Sequence, residues 1–233
     1  MTARDEASEV EVELKIKLSP ADLEKVFLIL REKVGLSEIK HKFSSRAYYD
    51  TPDLGLYNKG LSLRVQEIPG KSGNPGGYEQ TLKMEVLPDQ PLKESVMMRR
   101  ECRDNISTHI PSLAAVSDPQ AQEAVKSFRD KSLVPIFTSA IERRYFEMEL
   151  DHGAVELAFD VGKLILAEGG WHQDFSEIEI EVKRGDADLI DIVKKEILRI
   201  APSGAVQPLS KSAQGSQLYL KYKKQPPVNA ASI

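Results

Sequence analysis

The chain has 233 residues, 41% of them apolar and 29% charged, with one cysteine, Cys102. Its 32 basic and 36 acidic residues leave a net charge of -4, which argues against a nucleic-acid or membrane-surface partner. A lone cysteine excludes an intrachain disulfide, no apolar run reaches membrane length, and MTARDEASE lacks the core of a signal peptide, so a soluble cytoplasmic protein is expected.

Residues 1–8 read as frayed. EVEVELK, Glu9 to Lys15, alternates with the period of a strand, placing Glu9, Glu11, Glu13 and Lys15 on one face and Val10, Val12 and Leu14 on the other. Taken alone it fits an edge strand with solvated acids. A helix follows, with Ser19 as N-cap, Pro20 at the first position, Asp22 closing a capping box, an apolar stripe of Leu23, Val26, Phe27 and Leu30, and Gly35 as its end. Strands are predicted over 38–50, 61–67, 78–85 and 95–103, with a loop at 69–77 and a turn at LPDQP. Residues 107–130 read as one or two helices forming a crossover. A long strand covers 135–150, and AVELAFDVG with KLILAE reads as a hairpin or meander. FSEIEIEVKRG is a strand that repeats the first pattern in EIEIEVK, Glu177 to Lys183. Helices over 187–200 and 209–223 complete a single domain, 9–223, before a disordered tail, 224–233. The histidines (His41, His109, His152, His172) are scattered and read as surface or loop residues, and Trp171 as a loop anchor.

Two copies of the acidic strand, near opposite ends of the chain, imply that carboxylates face a shared space. Other strands also pair an aliphatic face with one of mixed charge: Ser62, Arg64 and Gln66; Thr81, Lys83 and Glu85; Arg99, Glu101 and Arg103; Arg143, Tyr145 and Glu147; Glu156, Ala158 and Asp160. A sandwich would bury the aliphatic faces together and solvate the charges. A closed barrel would turn the aliphatic faces outward under helices and the charges into a lumen. At least three amphipathic helices need apolar sheet to cover, and the charged faces carry both signs, which favours the barrel. Such a lumen suits a hard divalent cation on carboxylates beside a polyanion on Arg and Lys.

These residues resemble the CYTH superfamily, the triphosphate tunnel metalloenzymes. The resemblance runs from about 9 to 223: Glu11-x-Glu13-x-Lys15, YYDTPDLGLYNKGLSLR at 48–64, TLK at 81–83, RRE at 99–101, TSAIER at 138–143, VELAFDVG at 155–162, EIEIEVKRG at 177–185 and LSKS at 209–212. It implies an α+β, mainly antiparallel fold: an eight-stranded closed β-tunnel with a charged lumen and helices outside. It also implies metal-dependent hydrolysis of a triphosphate with Mg²⁺ or Mn²⁺. By position, Glu11, Glu13, Glu101, Glu156, Asp160, Glu179 and Glu181 correspond to metal ligands, and Lys15, Arg64, Lys83, Arg99, Arg143 and Lys211 to triphosphate ligands. Lys15 and Glu13 are the candidate catalytic residues, although a lysine among carboxylates suits a phosphate clamp better than a base. Two positions depart from the family pattern. Gln66 stands where Arg-x-Arg is common, with Arg46 as a candidate substitute, and Arg103 stands where a carboxylate is common. Arg143 rather than Arg144 is expected to face inward.

Inorganic tripolyphosphate is the first substrate expected, since it needs only metal and phosphate contacts. Thiamine or nucleoside triphosphate hydrolysis, class IV adenylyl cyclase activity and a non-enzymatic polyphosphate- or nucleotide-binding module are the alternatives. An RNA triphosphatase would want a basic approach surface. The expected partner is a small triphosphate, with no nucleic acid or membrane, in a monomer or homodimer.

Overall fold

A computed structural model describes residues 8–32, 39–70, 76–86 and 96–224, and the side chains among them from Val10 on. Gly35, most of the 69–77 loop, LPDQP and both termini lie outside the described residues. Among the described residues there are nine strands: β1 (Ser8–Lys17), β2 (Lys40–Asp50), β3 (Leu61–Ile68), β4 (Gly77–Glu85), β5 (Met97–Ile106), β6 (Val134–Leu150), β7 (Gly153–Leu166), β8 (His172–Arg184) and the short β9 (Ala205–Val206). The sheet runs β5-β4-β3-β2-β6-β7-β8-β1 and closes through antiparallel pairing of β1 with β5. It is an eight-stranded antiparallel barrel. Where β5 runs out, β9 takes over the same edge of β1 at Ile16 and Lys17, so the seam stays hydrogen-bonded.

The aliphatic faces point outward, as the barrel reading requires. Helices α1 (Pro20–Arg31) and α3 (Asp188–Ile200) cover β1, β7 and β8. Their stripes, including Leu23, Val26, Phe27 and Leu30 from α1 and Ile190, Val193 and Ile197 from α3, pack on Leu14, Ile16, Phe159, Ile178 and Ile180. Ser19 caps α1, its hydroxyl accepting from the Asp22 amide at 3.1 Å, which supplies one of the end amides with a partner. A second core lies outside β3–β5, where Leu61, Leu63, Leu82 and Met84 meet Leu113, Val116, Val125 and Phe128 of the crossover. That crossover is helical only in α2 (Pro119–Val125) and two short 3-10 turns. Pro111 and Pro119 punctuate it, and proline removes the amide a longer helix would need.

The hairpin or meander expected of AVELAFDVG and KLILAE, 154–168, is corrected: residues 154–166 lie in one unbroken strand, β7. Gly162 does not turn the chain. A Cβ there would sit 2.3 Å from the Ala140 carbonyl oxygen and 2.9 Å from the Phe175 ring, so the glycine admits close packing rather than reversal.

Helix α4 (Lys211–Lys223) closes one end of the barrel, with Leu218 and Tyr219 against Tyr48, Phe137, Ile141 and Phe175. Gly215 brings it down onto the Phe137 ring, where a Cβ would lie 2.3 Å away. Gly215→Ala is therefore expected to destabilise by about 1–3 kcal/mol through overpacking, although alanine alone would favour the helix by about 1 kcal/mol. Urea unfolding checks the sign, and a more stable variant would show that α4 lifts freely off Phe137.

Candidate active site

The inward positions of these strands converge on one cavity of about 270 Å³. Register does the assembling. Glu13 lies across from Glu181 and Lys15 from Glu179, Glu11 from Arg99, Lys83 from Glu101, Arg143 from Asp160, and Glu156 from Glu181. Cross-strand partners share a face, so charges distant in sequence meet in the lumen. Of the residues singled out from sequence, Glu11, Glu13, Lys15, Arg64, Lys83, Arg99, Glu101, Glu156, Arg143, Glu179, Glu181 and Lys211 line the cavity. Asp160 lies behind its wall, 0% exposed.

The acids are not loose. Lys15, 1% exposed, donates to Glu13 Oε1 at 2.6 Å and lies 3.6 Å from Glu179. Arg99 also donates to Glu13. Lys83 bridges Glu11 at 2.6 Å and Glu101 at 3.0 Å, and Glu101 also takes Arg64 at 2.8 Å and Arg103 at 3.0 Å. Arg143 grips Asp160 with Nε and Nη2 at 2.6 and 2.7 Å and reaches Glu179. Lys211 Nζ sits among Asp160, Glu177 and Glu179 at 2.8, 2.7 and 2.5 Å.

That last trio has carboxylate oxygens within 4.8 Å of one another, a spacing a metal could use. Here the Lys211 ammonium fills it. Burial opposes the Lys211 charge, but the three carboxylates hold its affinity for the proton above the ordinary lysine range. Burial likewise opposes the Glu179 charge, but Arg143, Lys211 and Lys15 hold it well below the usual carboxylate range.

The Glu11–Glu101 pair is different. Burial, then the hydrogen bond with Glu101, pushes Glu11 up despite Lys83. Burial works against Glu101 too, yet the bond from Glu11 and the Lys83, Arg64 and Arg103 charges hold Glu101 low. The two neighbouring carboxyls are thus pushed in opposite directions, Glu11 up and Glu101 down. A divalent cation on hard oxygen ligands would offset the repulsion between Glu11 and Glu101, while the metal-spaced group of three carboxylates among the described residues is the Lys211 trio.

Arg143 faces inward. Arg144 faces out, bonded to Glu24 at 2.5 Å and lying over the Phe27 ring at 3.8 Å. The histidines are all exposed, and Trp171 packs edge-on against Tyr222.

The CYTH domain matches residues 9–216. The chain belongs to the CYTH domain family. An inorganic triphosphatase of Haemophilus influenzae is 28% identical over 189 residues, covering 79% of this chain and 48% of that protein. The chain thus spans about half the length of that curated relative. An adenylate cyclase candidate from Bacillus halodurans superposes with a TM-score of 0.58 at 18% identity, over 89% of this chain and 97% of that one. An adenylyl cyclase candidate from Hippeastrum, reported to reveal a dominant triphosphatase activity, gives 0.56 at 16% identity over 94% and 99%. At such identities the two structures show a shared fold.

This CYTH domain also brings residues to the tunnel that the sequence reading did not assign there. Glu177 holds Lys211 from below, and its inward parity with Glu179 and Glu181 was readable in EIEIEVK. Lys42, Tyr48 and Ser212 also line the cavity, and Ser62, Tyr145 and Lys183 line it from the polar strand faces already read in the sequence. Arg103, the departure from the family pattern, is an inward cation on Glu101.

Proposed function

We propose that this CYTH domain hydrolyses the terminal phosphoric anhydride of a triphosphate, with inorganic tripolyphosphate as substrate and Mg²⁺ or Mn²⁺ as cofactor. The observation that carries this reading is the charge of the lumen. Ten cationic and six anionic side chains line one cavity, an excess of four positive charges inside a chain of net charge -4. The cations stand without acids on β2 and β3, while the carboxylates gather on β5, β1, β8 and β7. A polyanion seated along the first wall presents its phosphates to the second.

Glu11, Glu13 and Glu101 would hold the metal, with Glu156, Asp160, Glu179 and Glu181 as further candidates. Bound there, the metal would neutralise phosphate oxygens and polarise the terminal phosphorus. Lys15, Arg64, Lys83, Arg99, Arg143 and Lys211 bind and orient the phosphates, exchanging carboxylate partners for phosphate oxygens. Phosphoryl transfer asks chiefly for such positioning and charge stabilisation. Water attacks the terminal phosphorus as the anhydride bond opens, releasing phosphate and pyrophosphate. Glu13, already held by Lys15 and Arg99, is positioned to accept the proton of that water.

The aromatic groups among the described lining residues are Tyr48 and Tyr145. Tyr48 is stacked on Phe137 at 4.3 Å and is not free to receive a base or thiazolium ring, which favours the inorganic substrate. Tyr145 is the one feature that would suit a nucleotide or thiamine triphosphate. The test is phosphate release from tripolyphosphate, ATP and thiamine triphosphate with Mg²⁺, Mn²⁺ or EDTA. Metal-dependent release chiefly from tripolyphosphate is expected. Pyrophosphate release from ATP would instead make the domain a cyclase, and binding without turnover would make it a binding module.

A further inference from the structure

Arg46 is a half-buried cation lining the cavity, without a carboxylate partner among the described residues. It stands on β2 directly across from Gln66 on β3, and its Nε donates to Gln66 Oε1 at 3.2 Å. Gln66 in turn donates to Glu79 at 2.8 Å, so the nearest acid along this chain of bonds is held off by a neutral amide. The adjoining arginines differ: Arg64 bonds Glu101 and Arg143 bonds Asp160. Burial, then the Arg64 and Arg143 charges, push Arg46 down to about 10 although Tyr48 and Glu179 oppose this. Burial and the charges of Arg46, Arg143 and Arg64 push Lys42, four residues earlier on the same strand, in the same direction. A half-desolvated cation crowded by like charges and paired only with a neutral amide is short of compensation, and an arriving anion would supply it.

We propose that Arg46 binds an oxyanion group of the substrate, taking the place of the arginine that the family pattern puts at Gln66. The inference rests on the triphosphate reading and adds the ligand on β2 to it. Arg46 and Gln66 exchange roles across one ladder rung: the cation moves to β2 and the neutral partner to β3. The planar guanidinium then offers its remaining donors to a phosphate.

The test is calorimetric binding of tripolyphosphate in EDTA, beside thermal unfolding of the free proteins. Arg46→Gln is expected to weaken binding by about tenfold or more, the scale of one lost charge-assisted contact, without lowering the unfolding temperature of the free protein. Adding Gln66→Arg to that variant is expected to restore affinity to within about threefold of wild type, roughly half the free energy of a tenfold change. Binding by Arg46→Gln within about twofold of wild type, with Lys83→Ala binding weakly in the same assay, would overturn the role of Arg46 and leave the triphosphate reading standing. A lowered unfolding temperature with unchanged affinity would make Arg46 a structural residue and overturn it also. Absence of tripolyphosphate binding by the wild-type protein would remove the triphosphate reading itself.

Discussion

Lys211→Met is expected to destabilise the protein by about 3–5 kcal/mol at neutral pH, the scale of removing one partner from a buried ion pair. The methionine keeps most of the side-chain volume and deletes the ammonium that Asp160, Glu177 and Glu179 share. Three buried carboxylates within 4.8 Å of one another then repel. The sign of the pH dependence follows. In the wild type Glu179 is held below its ordinary range, so its contribution is present above the unfolded carboxylate value and is lost as pH falls through the folded one. In the variant that pull is gone, and protonating the trio relieves repulsion. The stability gap should therefore be widest near pH 7 and narrow towards about pH 4, where carboxylates ordinarily titrate. Urea unfolding at several pH values reads it. A gap that stays constant would mean that Lys211 acts through packing rather than charge. Turnover of tripolyphosphate should fall with it by about 100-fold, near 3 kcal/mol in the barrier, because the same lysine is a phosphate donor in the proposed mechanism.

Lys211 marks the limit of what spacing reveals. It lies 51 residues from Asp160, and nothing in its neighbourhood announces a buried ammonium; only the LSKS match to the family pointed to it. The acidic strands were legible because one face of each is covered by helices and so had to be aliphatic. That is why β1 and β8 alternate so cleanly, and why the inward parity of Glu11, Glu13, Glu179 and Glu181 could be read from letters alone. β2 carries no such signal. Its outer face includes Phe43, 77% exposed, along with His41, Ser45 and Ala47, and the main helix contacts among the described residues fall on other strands. Without an aliphatic face there is no alternation, and Lys42 and Tyr48 went unassigned. Gly162 shows a related ambiguity: a glycine placed for close packing against Phe175 has the same letter as one placed for a turn. Closure of the sheet was inferred from the helices needing a surface, but the stagger that sets Lys83 between Glu11 and Glu101 is a property of three strands together and is written in none of them.

Glu11→Gln should separate stability from function with opposite signs. The Glu11 carboxyl is raised by burial and by the Glu101 carboxylate. A carboxyl raised on folding adds stability that is present below its unfolded value and lost as pH rises through its folded value. At neutral pH the ionised Glu11 therefore opposes folding of the metal-free protein, and the neutral glutamine is expected to raise the unfolding temperature. That advantage should shrink as pH falls through the raised folded value of Glu11 and be gone below the unfolded carboxylate value, about pH 4. Glu101→Gln is expected to do the reverse, since Lys83, Arg64 and Arg103 all close on Glu101 at 3.0 Å or less and would lose their shared partner. With Mn²⁺ present the order changes. Wild type should gain thermal stability because the cation offsets the repulsion between Glu11 and Glu101, whereas Glu11→Gln should gain little. Its turnover of tripolyphosphate should drop by about 100-fold, the loss of roughly 3 kcal/mol of metal-assisted charge stabilisation. Calorimetric scans with EDTA and with Mn²⁺, run beside the phosphate-release assay, contain the whole comparison. A Glu11→Gln protein that is less stable without metal and equally stabilised by Mn²⁺ would place the cation elsewhere in the tunnel. A protein that is more stable without metal and blind to Mn²⁺ would mean that the repulsion between these two acids is kept for the ion that resolves it.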